Sequence, residues 1–233
     1  SAQERIELAK QYNEKLFNSI CKSFKGKWLD KDVFTQELKN VHNGKTNFTL
    51  KNANPKGFVG NTAPMCNKKE VVSYDIYLPL NKFGKKMYLR NMNIFMHETF
   101  HYFFEITNPK HIKNACTMHE NKLNIETNKF YHDKLYNKQG DTDLIKIALP
   151  AYIKNFYPKD QITILQSWRY RLTEEVYAYK EGAKYYEKIQ DIYKDTLHKK
   201  LKCDDGSDFH FEEKIKIIEE TLAKILEKVR KNL

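Results

Sequence analysis

Residues 94–105, IFMHETFHYFFE, contain two histidines and a glutamate inside an otherwise apolar and aromatic run. His97 and His101 are four residues apart, which on an α-helix puts both imidazoles on one face, about 40° apart around the axis. Two imidazole nitrogens at that spacing can bind one zinc ion. Glu98 lies about 100° round from His97, where it can reach a water molecule on the metal. His-Glu-x-x-His is the signature of metal-dependent hydrolases, and a metal would explain why these polar groups are buried.

A catalytic zinc ion needs a third protein ligand and one open position for water. A longer version of the pattern supplies a third histidine, but here Phe104 stands at its glycine position and Thr107 at its last histidine position. The later helical stretch RLTEEVYAYKEG offers two carboxylates instead, Glu174 and Glu175. Three other glutamates are less suitable ligands: Glu105, Glu120 and Glu126.

The segment Glu175-Val176-Tyr177-Ala178 reads E-x-x-A, with a small residue one helical turn after the glutamate. With HETFH and EEVYA together, the chain resembles the gluzincin group of zincin metallopeptidases, whose third ligand is a glutamate often followed by alanine. The resemblance rests on about ten residues. It implies Zn²⁺ as the cofactor and Glu175 as the third ligand, with Glu174 as the alternative. G-x-M-E-N, the exopeptidase signature of the zinc aminopeptidases in this group, does not occur in this chain.

The expected reaction is hydrolysis of a peptide bond, as in an endopeptidase. Zinc lowers the pKa of a bound water molecule, and Glu98 acts as general base and then as general acid. Related enzymes use a tyrosine or a histidine to stabilise the oxyanion, and the sequence does not choose among four candidates. Tyr177 and His210 are the two that we name as catalytic candidates. The full set is Tyr170, Tyr177, Tyr179 and His210.

Two other classes of function compete with a zinc peptidase. One is a zincin-fold binding or structural module that has lost catalysis, although all three chemical residues of the motif are present. The other is a nucleic-acid binder, because the net charge is +11 and the pI is about 9.2. The positive charge is spread along the chain in short lysine pairs, so we expect no specific nucleic-acid partner. The resemblance implies a protein or peptide substrate.

The sequence pattern predicts an α+β fold that is mostly helical, and its helices and strands would position the candidate site residues. We expect a single zincin-like catalytic domain over residues 1–233. Residues 1–110 would hold a small sheet packed on the motif helix, and residues 111–233 would be helical and carry the third ligand. Periodicity and cap residues predict the following helices: 2–24, Asp30 to about 41, about 91–107, about 111–137, 143–156 with a kink at Pro150, about 160–200 with an interruption at Gly182, and 211–232.

The sheet is predicted from the segments that precede the motif helix. Residues 43–70 read as loops with short strand pieces such as TNFTL. Residues 71–80, VVSYDIYLPL, are β-branched and aromatic and predict a strand. Pro79 favours an edge position for this strand, because proline cannot donate a ladder hydrogen bond. We therefore expect an extended substrate to pair with this edge.

The four cysteines contain no C-x-x-C pair, which disfavours a cysteine-based zinc site. They permit two disulfides and are equally consistent with buried thiols. No apolar run is long enough for a transmembrane helix, and no signal peptide is visible. Because the chain begins with serine, an upstream signal could have been removed, so secreted, periplasmic and cytoplasmic locations all stay open. The oligomeric state is open as well.

Overall fold

The computed structural model describes residues 1–24, 26–42, 46–68, 70–108, 110, 115–192 and 202–232. The chain divides into two compact units. The first comprises Ser1–Cys116 and Tyr177–Asp205, and the second comprises Thr117–Val176 and Gly206–Leu233. The expectation of a single catalytic domain stays a prediction.

Helices dominate the described residues, as the sequence predicts. Ser1 begins the first helix with a capping box that includes Glu4, and Asp141 caps the fifth through the backbone N–H of Asp143. The helix that contains Gly182 continues through this residue, so the expected interruption is wrong. Residues 111–114 and 193–201, at the ends of two predicted helices, lie outside the described residues. The helices are α1 (Ala2–Ser23), α2 (Lys31–His42), α3 (Met92–Ile106), α4 (Met118–Phe130, continued by a π-helical turn at Tyr131–Leu135), α5 (Thr142–Ile153), α6 (Pro158–Ile192) and α7 (Phe211–Lys231).

Among the described residues of the first unit, five short strands form two small sheets. The three-stranded sheet has the order β2-β4-β3, in which β4 is parallel to β2 and antiparallel to β3. The other sheet is an antiparallel ribbon of β1 and β5. The strands are β1 (Trp28–Asp30), β2 (Phe48–Asn52), β3 (Asn61–Asn67), β4 (Glu70–Leu78) and β5 (Lys86–Tyr88).

The predicted edge position of the strand at 71–80 is wrong, because β4 is the central strand. Pro79 does not interrupt the ladder, since Leu78 is the last residue of β4 that pairs. The strand β3 lies in a region expected to be mainly loops, and it contains Pro64, paired with Tyr74. A proline is tolerated there because β3 is an edge strand.

The motif helix α3 packs against α1 and against strands β3 and β4 of the first unit. Its aromatic side chains at Phe95, Phe100, Phe103 and Phe104 are buried. Such a helix is apolar on most of its circumference because it is covered on several sides. The prediction of a small sheet packed on this helix is therefore confirmed.

Aromatic packing also forms the core of the second unit. The ring of Phe130 on α4 stacks on Tyr152 of α5 and on Trp168 of α6, with ring centroids 4.2 Å and 5.5 Å apart. Helix α5 contains Pro150 and continues to Ile153, so proline does not divide it.

The cysteines form one disulfide among the described residues, between Cys66 in β3 and Cys116. Cys21 and Cys203 are thiols. None of the described helices is both long and apolar enough to cross a membrane.

Candidate metal centre

The two histidines of the motif lie one turn apart on α3, as their spacing predicts. The Nε2 atoms of His97 and His101 are 3.1 Å apart. Two ligands of one tetrahedral zinc ion, each at 2.0–2.1 Å, would be separated by about 3.3 Å. The side chains therefore already converge at the distance that a shared metal ion requires.

Glu175 on α6 completes a three-residue group with these histidines. One ligand atom from each of His97, His101 and Glu175 lies within 4.8 Å of the other two. Two nitrogens and one carboxylate oxygen are a donor set that suits zinc, and they leave one tetrahedral position for water. Glu174, the alternative ligand, is not a member of this group; its side chain is buried at 5% exposure.

Helix α6 can approach α3 closely because residue 182 is a glycine. A Cβ atom at Gly182 would lie 2.7 Å from the carbonyl oxygen of Asn93 and 3.4 Å from the Cβ of His97. One turn earlier on α6, the ring of Tyr179 packs edge-on against the His97 ring, with centroids 4.5 Å apart. Ala178, the small residue of the E-x-x-A segment, is also buried, and Gly182, predicted to interrupt the helix, instead lies where α6 meets α3.

Glu98 is held by a threonine of the edge strand β3. The hydroxyl of Thr62 donates to Glu98 Oε2 at 2.8 Å and is also 2.9 Å from the Glu98 carbonyl oxygen. The other carboxylate oxygen, Oε1, lies 4.0 Å from Nε2 of His97. Glycine at position 60 makes room for this arrangement, because a Cβ there would lie 3.0 Å from Oε1 of Glu98. Nothing in the sequence links Thr62 to Glu98.

The backbone of α3 is fixed from the opposite side by a buried polar pair. Asn13 on α1 donates from Nδ2 to the carbonyl oxygen of Met96 at 2.9 Å, and its Oδ1 accepts from the hydroxyl of Thr99 at 2.7 Å. Both side chains are fully buried. Buried hydrogen bonds of this kind fix the rotation of the helix and so the direction of its histidines.

The candidate oxyanion donors occupy different environments. Tyr179 lies beside His97, as described above, whereas the ring of Tyr177 packs near Phe100 and below the ammonium groups of Lys10 and Lys180. Tyr179 lies four positions after Glu175, so both project from one face of α6. Tyr177 lies about 200° round the helix from Glu175.

His210 and Tyr170 belong to the second unit. His210 immediately precedes α7, with half of its side chain exposed and its Nδ1 3.7 Å from a carboxylate oxygen of Glu213. Tyr170 lies on α6 and is partly exposed. The catalytic roles of Tyr177 and His210 stay predictions.

A second histidine of that unit lies in the electrostatic field of Glu175. Burial lowers the pKa of His132, and the positive charge of Arg171 lowers it further, while the carboxylates of Asp133 and Glu175 oppose this effect. Arg171 also lies over the ring of Tyr131, 3.7 Å from its centroid. His132 is in the π-helical turn after α4, and π-helical turns occur frequently at functional sites.

No protein-family model matches the sequence, and neither a curated protein nor a solved structure matches the chain. Fold and site together define a mostly helical α+β protein with a candidate three-residue metal-binding group.

Proposed function

We propose that this protein is a zinc-dependent peptide hydrolase of the gluzincin type. The observation that carries the proposal is the convergence of His97, His101 and Glu175 within 4.8 Å, two histidines and a later glutamate in the order that the motif requires. The adjoining carboxylate of Glu98 lies 4.0 Å from a ligand nitrogen, which supports its role as a base.

In this mechanism Glu98 is the proton carrier. A bound zinc ion would lower the pKa of a water molecule and polarise the substrate carbonyl. Glu98 accepts the water proton and later donates it to the leaving amine. Thr62 holds one carboxylate oxygen through a 2.8 Å hydrogen bond, which leaves the other directed towards His97. Of the four oxyanion-donor candidates, Tyr179 is the one whose contact with His97 supports the role.

The substrate in this proposal is an extended peptide that pairs with β3. Both sides of β4 are occupied by neighbouring strands, whereas β3 is at the edge of its sheet within the described residues. Thr62 belongs to β3 and contacts Glu98, so a peptide along this strand would run past the proposed base. Main-chain pairing at a sheet edge presents an extended backbone for cleavage.

Metal analysis of purified protein, combined with a turnover assay on an unfolded protein substrate, tests the proposal. We expect one zinc ion per chain in the unaltered protein and none in His97→Ala or His101→Ala. Glu98→Gln should keep the zinc ion and lose turnover by about 10²–10⁴-fold, the usual contribution of a positioned base. Circular dichroism spectra establish that each variant is folded.

The alternatives give different results in the same assays. A catalytically inactive module would bind zinc through the same residues without turnover in any form of the protein. A nucleic-acid binder would contain no zinc and would bind oligonucleotides with a steep dependence on salt. A zinc-free, inactive protein at neutral pH, after purification without chelators and dialysis against zinc, excludes the proposed function.

A further inference from the structure

The turn that joins β4 to β5 projects an aromatic ring surrounded by positive charge. Phe83 is 70% exposed, the highest value for a phenylalanine among the exposed large apolar residues. Lys82, Lys85 and Lys86 are exposed as well. We call these four residues the basic tip.

The backbone of the basic tip is fixed by Asn81. Its Oδ1 accepts hydrogen bonds from the backbone N–H groups of Lys85 and Lys86 at 3.0 Å and 3.2 Å. Its own N–H donates to the carbonyl oxygen of Lys86, and its carbonyl accepts from the N–H of Gly84. Gly84 has φ +66°, a conformation that glycine adopts without strain. Because the turn is held at several points, Phe83 is presented outward by a defined structure.

The charge around the basic tip is uncompensated over a long stretch of chain. No aspartate or glutamate occurs from Ile76 to His97, whereas this segment contains three lysines and Arg90. Within the described residues, the lysines of the tip take part in no ion pair. Asp30 is the Cα partner of Lys86 across the β1–β5 ribbon, without an ion pair between them. A projecting ring within an unpaired group of ammonium ions is complementary to an anionic surface that has an apolar layer below it.

We propose that the basic tip docks the protein onto an anionic lipid surface. Phe83 would enter the boundary between headgroups and acyl chains, and the three lysines would contact anionic headgroups. A second copy of the chain does not fit, because two such tips repel each other. This proposal is independent of the proposed enzymatic function.

Nucleic acid is the less suitable partner for this surface. Single-stranded nucleic acid is bound by several aromatic faces on which successive bases stack. In the adjacent ribbon, Trp28 stacks on Tyr88 with ring centroids 3.2 Å apart, and the guanidinium of Arg90 lies over the Tyr88 ring. The ring faces of Trp28 and Tyr88 are therefore occupied by contacts with each other and with Arg90. The ammonium nitrogen of Lys82 lies 4.9 Å from the centroid of the Phe83 ring. The arrangement favours insertion of one ring over stacking of several bases.

Sedimentation with vesicles tests the proposal on the full chain. We expect binding to vesicles of phosphatidylcholine mixed with phosphatidylserine, weakening as salt increases, and little binding to phosphatidylcholine alone. Each lysine near such a surface contributes about five-fold, so Lys82→Gln, Lys85→Gln and Lys86→Gln combined should weaken binding about 100-fold. Phe83→Ala should weaken it roughly tenfold.

Matched controls separate the basic tip from general positive charge. The combined change Lys216→Gln, Lys224→Gln and Lys228→Gln removes the same charge from exposed positions on α7. Tyr157→Ala removes another exposed aromatic ring, which is 81% exposed. Both controls should bind anionic vesicles nearly as well as the unaltered protein. In Phe83→Trp, the added tryptophan fluorescence should shift to shorter wavelength when anionic vesicles are added.

Three results would overturn the proposal. The first is that the unaltered protein does not bind anionic vesicles. The second is that the α7 control loses as much affinity as the tip variant, which would show that net charge alone drives binding. The third is that the tip variant loses affinity for a single-stranded oligonucleotide and keeps its affinity for vesicles.

Discussion

Two regions of the molecule place polar side chains where an apolar helix face is buried, and they differ in what those side chains contact. On α3, His97, Glu98 and His101 lie among buried phenylalanines. On α7, Lys214 is completely buried, and its ammonium nitrogen donates to the carbonyl oxygens of Leu135 at 2.9 Å and Asn137 at 2.8 Å.

The difference separates a structural polar group from a candidate chemical one. The donors of Lys214 are used by backbone carbonyls at the end of the π-helical turn, where a helix leaves acceptors unsatisfied. On α3, by contrast, the Nε2 atoms of His97 and His101 converge on each other and on the carboxylate of Glu175. Buried polarity alone therefore does not indicate a site. Convergence of metal-ligand atoms does, and it is the property that the following variants test.

The largest expected effect is on metal affinity when the third ligand is changed. Glu175→Gln should weaken zinc binding by more than about 100-fold. Even the loss of a residue that only hydrogen-bonds to a metal ligand lowers metal affinity about 10–100-fold. Glu174→Gln is the matched control: it alters the neighbouring buried carboxylate, which is outside the metal-binding group, and should leave zinc affinity within a few-fold. Competition with a chromophoric chelator measures both. Equal losses in the two variants would contradict the assignment of Glu175.

The second effect concerns Lys214 on α7 and the pH dependence of the free energy of unfolding. Burial lowers the pKa of Lys214 from 10.5 to about 8. A depressed pKa in the folded state contributes stability that is present above pH 10.5 and is lost as the pH falls through about 8. As the pH rises from about 8 to 10.5, the free energy of unfolding should therefore increase by roughly 3 kcal/mol, relative to a variant that lacks the Lys214 ammonium group.

Lys214→Met tests this expectation against Lys216→Met, an exposed lysine on the same helix. Urea unfolding at a series of pH values gives the free energy of unfolding for each variant. The difference between Lys214→Met and the unaltered protein should change with pH, and the difference for Lys216→Met should not. Parallel curves for all three proteins would show that Lys214 titrates normally in the folded state.

Much of the candidate site can be predicted from the sequence because it depends on spacing along helices. The four-residue spacing from His97 to His101 places two rings on one face, and the order of the motif points to Glu175. Lys214 could also have been found, since it lies three residues after Phe211 on the apolar face of α7. The positions of the helices can also be predicted from the sequence, because helical periodicity depends on residues that are close together along the chain.

The features that sequence reasoning missed depend on contacts between distant segments. Thr62 meets Glu98 only because β3 packs against α3, and the pattern of β3 is obscured by Pro64. The central position of β4 depends on pairing with β2 and β3, which no local signal encodes. Gly182 looks like a helix interruption along the chain, and its packing against Asn93 is visible only in three dimensions.

The third effect is the loss of stability when a glycine is enlarged. It compares Gly182, which lies against α3, with Gly140, which lies beside Lys214. Gly182→Ala would put a Cβ 2.7 Å from the carbonyl oxygen of Asn93, and Gly140→Ala would put one 2.9 Å from that of Lys134. Both changes overpack backbone, so each should lower the free energy of unfolding by about 1–3 kcal/mol. At Gly182 a gain in helix propensity of about 1 kcal/mol offsets part of this cost.

The two glycine variants should differ in zinc affinity. Gly182→Ala displaces α6 from the beginning of α3 and should weaken zinc binding about tenfold, in the range seen when the support of a ligand is altered. Gly140→Ala should leave zinc affinity unchanged, because its nearest contacts include Lys214 and no candidate ligand. Calorimetric zinc titration measures the zinc affinity, and urea unfolding of the same samples measures the free energy of unfolding. Unchanged zinc affinity in Gly182→Ala would show that the α3–α6 approach does not position Glu175.

The smallest expected effect concerns the hydroxyl that orients Glu98. Thr62→Val keeps the shape of the side chain and removes the donor that contacts Glu98 Oε2 at 2.8 Å. We expect kcat for peptide hydrolysis to fall about tenfold, the value of one hydrogen bond to a charged group, with KM and zinc content nearly unchanged. Thr62→Ser keeps the donor and should retain most of the activity. If Thr62→Ser lowers kcat and Thr62→Val does not, the methyl packing of Thr62 matters and its hydroxyl does not. Orientation of the base by β3 would then be unnecessary, and the direction of Glu98 would follow from its own helix, unlike that of Lys214, whose ammonium group is held by the carbonyl oxygens of Leu135 and Asn137.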